Sequence, residues 1–110
     1  MTHYFRLQDL TSTSADATQD LDDAVEIGAY KTLTVQVRKP AAASAESYLF
    51  LQTAAVKEEA AFEDVAPVFN LAAAGNESHS FVSLSRFVRW RADIAGGTSK
   101  FLIDVIARED

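Results

Sequence analysis

The stretch "YKTLTVQVRK", Tyr30–Lys39, decides the fold class. Leu33, Val35 and Val37 alternate with Thr32, Thr34, Gln36 and Arg38, a period of two that puts the apolar residues on one side of an extended chain. The β-branched residues fit a half-buried pleated surface, so the stretch predicts a strand with one wet face. Pro40 then removes a ladder donor, and the Ala/Ser run from Ala41 to Ala45 supplies a connection.

Similar runs lie on both sides. The piece from Ala41 to Val65 is rich in Ala and Glu and also admits a helix, but "SYLFLQTAAV" puts large side chains on successive positions Tyr48, Leu49, Phe50 and Leu51, which predicts a strand over Ser47–Thr53 covered on both faces, followed by a polar turn at "VKEEAA". "AFEDVAPVFNL" predicts two short segments broken at Pro67, and "AAAGNES" a turn in which Gly75 and Asn76 tolerate positive φ. "HSFVSL", "RFVRWRADI" and "KFLIDVIA" are three further runs, the last two separated by "AGGTS", a loop of hairpin length. Near the N-terminus, Tyr4, Phe5, Leu7 and Leu10 form a short apolar segment that reads as a first strand or as an anchor packed on a neighbour. "TSTSADATQDLDD", Thr11–Asp23, has one large apolar residue and no sustained period, and predicts a loop or extended arm. Short strands separated by turn chemistry, with no amphipathic helix between them, predict an all-β chain: an antiparallel β-sandwich, jelly-roll-like, of about eight short strands. The expected organisation is a single domain over 1–110, with 1–23 forming an N-terminal strand plus polar arm.

Composition narrows the function classes. The chain is 48% hydrophobic and 24% charged, the balance of a folded globular protein rather than a disordered one. It has no cysteine, which removes disulfides, thiolate metal ligands and a cysteine nucleophile. Sixteen acidic residues against ten basic give a formal net charge of −6, which opposes approach to a polyphosphate surface, so no nucleic-acid partner is expected. No apolar run is long enough to span a bilayer and "MTHYFRLQDL" lacks the pattern of a secretory leader. The expectation is a protein made in a cytoplasm, with no membrane partner.

The most charged strand is "SRFVRWRAD", Ser85–Asp93, in which Arg86, Arg89 and Arg91 are interleaved with Phe87, Val88 and the single Trp. Alternation places Val88, Trp90 and Ala92 on one side and Phe87, Arg89 and Arg91 on the other. Trp90 is the expected core anchor. Arg89 and Arg91 have two readings: a solvated face paired with cross-strand carboxylates such as Asp104, or an interface or ligand-binding face, since arginine and aromatic residues together are enriched in protein interfaces and sugar-binding surfaces. Tyr4, Phe5, Phe87, Arg89 and Arg91 are the candidates for one self-association patch.

No set of residues spells out a reaction. Asp16, Asp20, Asp22, Asp23 and Glu26 lack the spacing of a calcium loop, His3 and His79 lack a zinc-ligand spacing, and Glu58-Glu59 and Glu63-Asp64 are adjacent carboxylates that do not form an acid/base couple. The serines offer no nucleophile elbow and Gly96-Gly97 no phosphate loop. No catalytic residue, cofactor or metal is therefore expected. Tyr30, Tyr48 and Phe62 are candidates for a sugar platform, and core residues otherwise.

The order "GAYKTLTVQVR", "YLFLQTAA" with "FEDV", "SRFVRWRAD", a Gly-rich turn and "FLIDVIA" resembles small bacteriophage virion and tail-type β-sandwich proteins, over about Gly28 to Ala107. Discoidin-like and carbohydrate-binding sandwiches carry a similar arginine strand. The first resemblance implies a non-enzymatic structural or assembly protein, incorporated in a virion or tail-like particle, whose partners are itself as a homo-oligomer and other particle proteins. The second implies a carbohydrate-binding module with glycans as partners.

Overall fold

A computed structural model describes residues 2–28 and 30–109. Nine strands follow in order: β1 (Thr2–Thr13), β2 (Ala17–Thr18), β3 (Val25–Glu26), β4 (Thr32–Ala41), β5 (Tyr48–Ala54), β6 (Glu63–Asn70), β7 (Gly75–Val82), β8 (Phe87–Asp93) and β9 (Ser99–Arg108). Two single turns of 3-10 helix, Leu21–Asp23 and Glu59–Ala61, interrupt them. Sheet I has the order β1-β9-β4-β7 and sheet II the order β2-β8-β5-β6, with β3 also on β8. Every pairing is antiparallel. Because β2 and β3 both pair with β8, they act as one interrupted strand. The two orders are then those of a jelly roll, in which the first strand pairs with the last and successive strands pair inward from there.

The core is made by the alternation. Leu33, Val35 and Val37 of β4 face Leu49 and Leu51 of β5 across the sandwich, with Val88, Trp90 and Ala92 of β8 and Phe101, Ile103 and Val105 of β9 completing the layer. Each of the Leu, Ile, Val and Phe side chains taken fully from water contributes about 1.5–3 kcal/mol. At one end the connections are stitched together: Ser44 N donates to Gly96 O (3.1 Å), Ala43 N to Leu71 O (2.8 Å) and Ile94 N to the Asp16 carboxylate (2.9 Å). Gly97, at φ +75°, lies where a Cβ would come within 2.6 Å of the Ser44 backbone nitrogen, so this close approach of two loops requires glycine.

Four local expectations are corrected. "AGGTS" does not close a hairpin, because β8 lies in sheet II and β9 in sheet I; a five-residue loop also suffices to cross the roughly 10 Å between packed sheets. Pro67 does not break β6, which runs through it. This is an edge strand, and a register shift opposite Leu49–Leu51 absorbs the irregularity. β7 begins at Gly75, earlier than the apolar run at Phe81 indicates.

The fourth correction concerns the polar arm expected over Thr11–Asp23, which does not project. Thr11, Ser12 and Thr13 pair with Phe101, Lys100 and Ser99, while Ala17 and Thr18 pair with Ala92 and Arg91. Edge segments need only backbone partners, so they carry no apolar period. Gln19 is buried between the sheets, donating from Nε2 to Leu7 O (2.7 Å) and accepting at Oε1 from Trp90 N (3.3 Å).

Candidate functional site

The sandwich has two outer faces, and the five patch candidates do not share one. Tyr4 stands on the outer face of sheet I, in register with Ile106, and is 71% exposed. Phe5 points the other way and packs against the core, with its ring 5.8 Å from that of His3. Phe87, Arg89 and Arg91 project from the outer face of sheet II, opposite Ala54, Gln52 and Phe50 of β5. The expectation of a single patch is therefore corrected, for the jelly roll puts β1 and β8 in different sheets.

Outward does not mean solvated for Arg89. The connection between β5 and β6 folds back over sheet II, and the Arg89 side chain is only 5% exposed beneath it. Its guanidinium lies 4.2 Å from the centroid of the Phe62 ring, Nε donates to Gln52 Oε1 (2.9 Å) and Nη1 reaches Glu59 (2.9 Å). Arg91 is clamped by both Asp64 oxygens, from Nε (3.1 Å) and Nη2 (2.7 Å), and stacks at 4.3 Å on Phe50; Asp93 is a further partner. Gln52 joins the two arginines, since its Nε2 donates to Asp64 (2.9 Å). Charge-assisted, bidentate and cation–π contacts of this kind hold a planar guanidinium in one geometry.

Asp104, expected to pair with Arg89 or Arg91, belongs to sheet I. There it accepts from Arg6 Nε (2.8 Å) and Arg38 Nη2 (2.9 Å). Asp104 and Arg6, with Tyr4, Thr34, Gln36 and Ser78, border a shallow groove of about 580 Å³ on the outer face of that sheet. At the β7 edge, Lys39 is buried and donates from Nζ to Asn70 O (2.8 Å) and Glu77 Oε1 (2.8 Å), while Glu77 Oε2 meets His79 Nε2 (2.7 Å). The sequence reading missed Lys39, although it has the inward parity of Leu33, Val35 and Val37.

The remaining candidates are dispersed. His3 and His79 lie on β1 and β7, the opposite edges of sheet I. Tyr30 packs near His3, with the rings 5.9 Å apart, whereas Tyr48 is on β5 and Phe62 is stacked on Arg89. Among the described residues, no three His, Asp or Glu side chains are grouped to hold a metal ion, and no helix is long and apolar enough to cross a membrane.

The carboxylates in these networks set an acid limit. The Arg91 hydrogen bond holds Asp64 below the ordinary carboxylate range, and that from Arg6 does the same for Asp104. Burial pushes Glu77 up, but hydrogen bonds from Lys39, Asn70 N and His79 outweigh it and leave the carboxyl low. Each group binds more protons unfolded than folded, so its stabilisation is complete above about pH 5 and is lost as pH falls through the unfolded value and then the lower folded one. The urea midpoint is expected to fall as pH drops from about 5 towards about 2, and Asp104→Asn to reduce that slope. A midpoint that stays flat over this range would contradict the pairings.

No family model matches the chain, and no curated protein matches it in sequence. Solved structures do match in fold. The SPBc2 prophage-derived protein YomS superposes with a TM-score of 0.60 at 11% identity, over 97% of this chain and 92% of that one. A chain from Bacillus endospore appendages, described as a family of disulfide-linked pili, gives 0.52 at 10% identity, over 100% and 92%. PirA gives 0.42 at 9%, over 97% and 93%. What the first two have in common with this chain at such identities is the fold. The absence of cysteine from this chain means that it cannot reproduce the disulfide linkage of those pili.

Proposed function

We propose that the chain is a non-enzymatic structural subunit that repeats in a virion, tail-like or appendage-type particle, with copies of itself and other particle proteins as partners. The observation that carries this reading is the near-full-length likeness to YomS and to the endospore appendage chain. The arginine strand, the strongest sequence motif, supports it by being used internally. Arg89 and Arg91 brace sheet II instead of offering free guanidinium groups to a ligand. Negative-stain electron microscopy of the purified chain at high concentration is the test. Objects with a regular repeat are expected, and dispersed single chains at every concentration would overturn the reading.

A further inference from the structure

Sheets I and II present four edges, and three are interrupted. The sheet II edge on β8 is broken between β2 and β3, and β6 carries Pro67 and a register shift. β1 shifts register between Arg6 and Gln8 and again before Thr11. β7 alone runs without a break, in continuous register with β4 from Thr32↔Val82 to Lys39↔Gly75. It contains no proline, lysine or arginine and no bulge, and its one carboxylate, Glu77, points inward and is held by Lys39 and His79, so of the usual devices that keep an edge from accepting another strand it has only that inward charge. The first part of β1 is regular too, from Thr2↔Arg108 to Arg6↔Asp104.

The two most exposed large hydrophobic residues in the described chain mark these same two edges. Tyr4, 71% exposed, is on β1, and Val82, 65% exposed, is on β7. Both stand on the outer face of sheet I, as their partners Ile106 and Thr32 do. Sheet I has four antiparallel strands, so β1 and β7 run in opposite directions. A second copy in the same orientation therefore offers β1 antiparallel to the first copy's β7. Thr2–Arg6 has no acidic residue and β7 no lysine or arginine, so the joint creates no Lys/Arg or Asp/Glu like-charge pair.

We infer that β7 of one copy accepts the Thr2–Arg6 segment of the next, extending sheet I from subunit to subunit and packing Tyr4 beside Val82. The joint is heterologous, which makes repeating rings or filaments instead of a closed pair. The inference rests on the assembly reading above and names its contact.

Complementation tests it. Tyr4→Lys spoils the β1 side and Val82→Lys the β7 side; both positions are exposed, so each variant should keep the wild-type circular dichroism and melting curve. Thr2→Lys and Ser80→Lys replace them if either does not fold. By light scattering, each variant alone is expected to be monomeric at concentrations where the wild type is assembled. An equimolar mixture should give a species of twice the 12.0 kDa chain mass and nothing larger, because one intact joint remains and growth is capped at both ends. Val56→Lys, in the β5–β6 connection, should assemble as the wild type does. Edge variants that keep the wild-type mass, or a mixture that stays monomeric, would overturn the joint while leaving the assembly reading in place. A wild type that never associates would overturn both.

Discussion

Trp90→Ala is expected to lower the unfolding free energy by about 3–5 kcal/mol, the range for truncating a large aromatic core residue. Trp90 is 6% exposed and meets Phe101 edge-on, with centroids 5.3 Å apart and planes at 88°. Its Nε1 donates to Gln8 Oε1 (3.0 Å), tying β8 of sheet II to β1 of sheet I. The truncation therefore leaves a cavity against a fully buried ring and removes a link between the sheets. For a domain of this size the melting temperature should fall by about 15 °C or more. Trp90→Phe, which keeps a ring against Phe101 and loses only the indole donor and some volume, should cost about 1–2 kcal/mol. Thermal and urea denaturation followed by circular dichroism measures both. A Trp90→Ala loss below about 1 kcal/mol would mean that the indole is not a core anchor.

Arg89→Ala is expected to cost about 2–4 kcal/mol, far more than an exposed arginine would. The substitution removes a buried stem, a cation–π stack on Phe62 and the donors to Gln52 and Gln19 O. Glu59 is 66% exposed and returns to water when unpaired, so the loss stays below that for breaking a pair buried on both sides. Arg89→Met should recover part of it by refilling the space over Phe62. Arg91→Ala, at a position with 27% side-chain exposure, should cost about 1 kcal/mol. The order of the two alanine variants is the informative outcome. Equal small losses would mean that the β5–β6 connection does not cover Arg89.

Whatever depends on alternation was legible from the chain. β4 and β8 lie where the period of two placed them, with Trp90 on the core side and Arg89 and Arg91 on the outer side, and β5 and β9 lie on the apolar runs read as strands. The antiparallel sandwich followed from the spacing of those runs, whereas the jelly-roll strand order did not, since an immunoglobulin-like sandwich has the same spacing. What alternation could not reach was anything fixed by contacts between distant segments. The covering of Arg89 depends on Glu59 and Phe62, delivered by a connection that reads locally as a polar turn. The partners of Asp104 depend on which sheet β9 joins, and a short Gly-Gly loop permits either choice. Gln19 and Lys39 look like solvated polar residues until the backbone and side-chain groups they satisfy are in place. Edge strands hide for a related reason, since Thr11–Thr18 and β7 draw on backbone hydrogen bonds more than on an apolar face.

The likeness to phage and appendage proteins concerns the backbone, whereas the assembly reading concerns surfaces, and solution mass tests surfaces directly. Size-exclusion chromatography with light scattering, run over a wide dilution series at neutral pH, is the measurement to make. The account predicts a discrete oligomer or a growing series of multiples of the 12.0 kDa chain mass, persisting well into the dilution. A monomer at every concentration would contradict it.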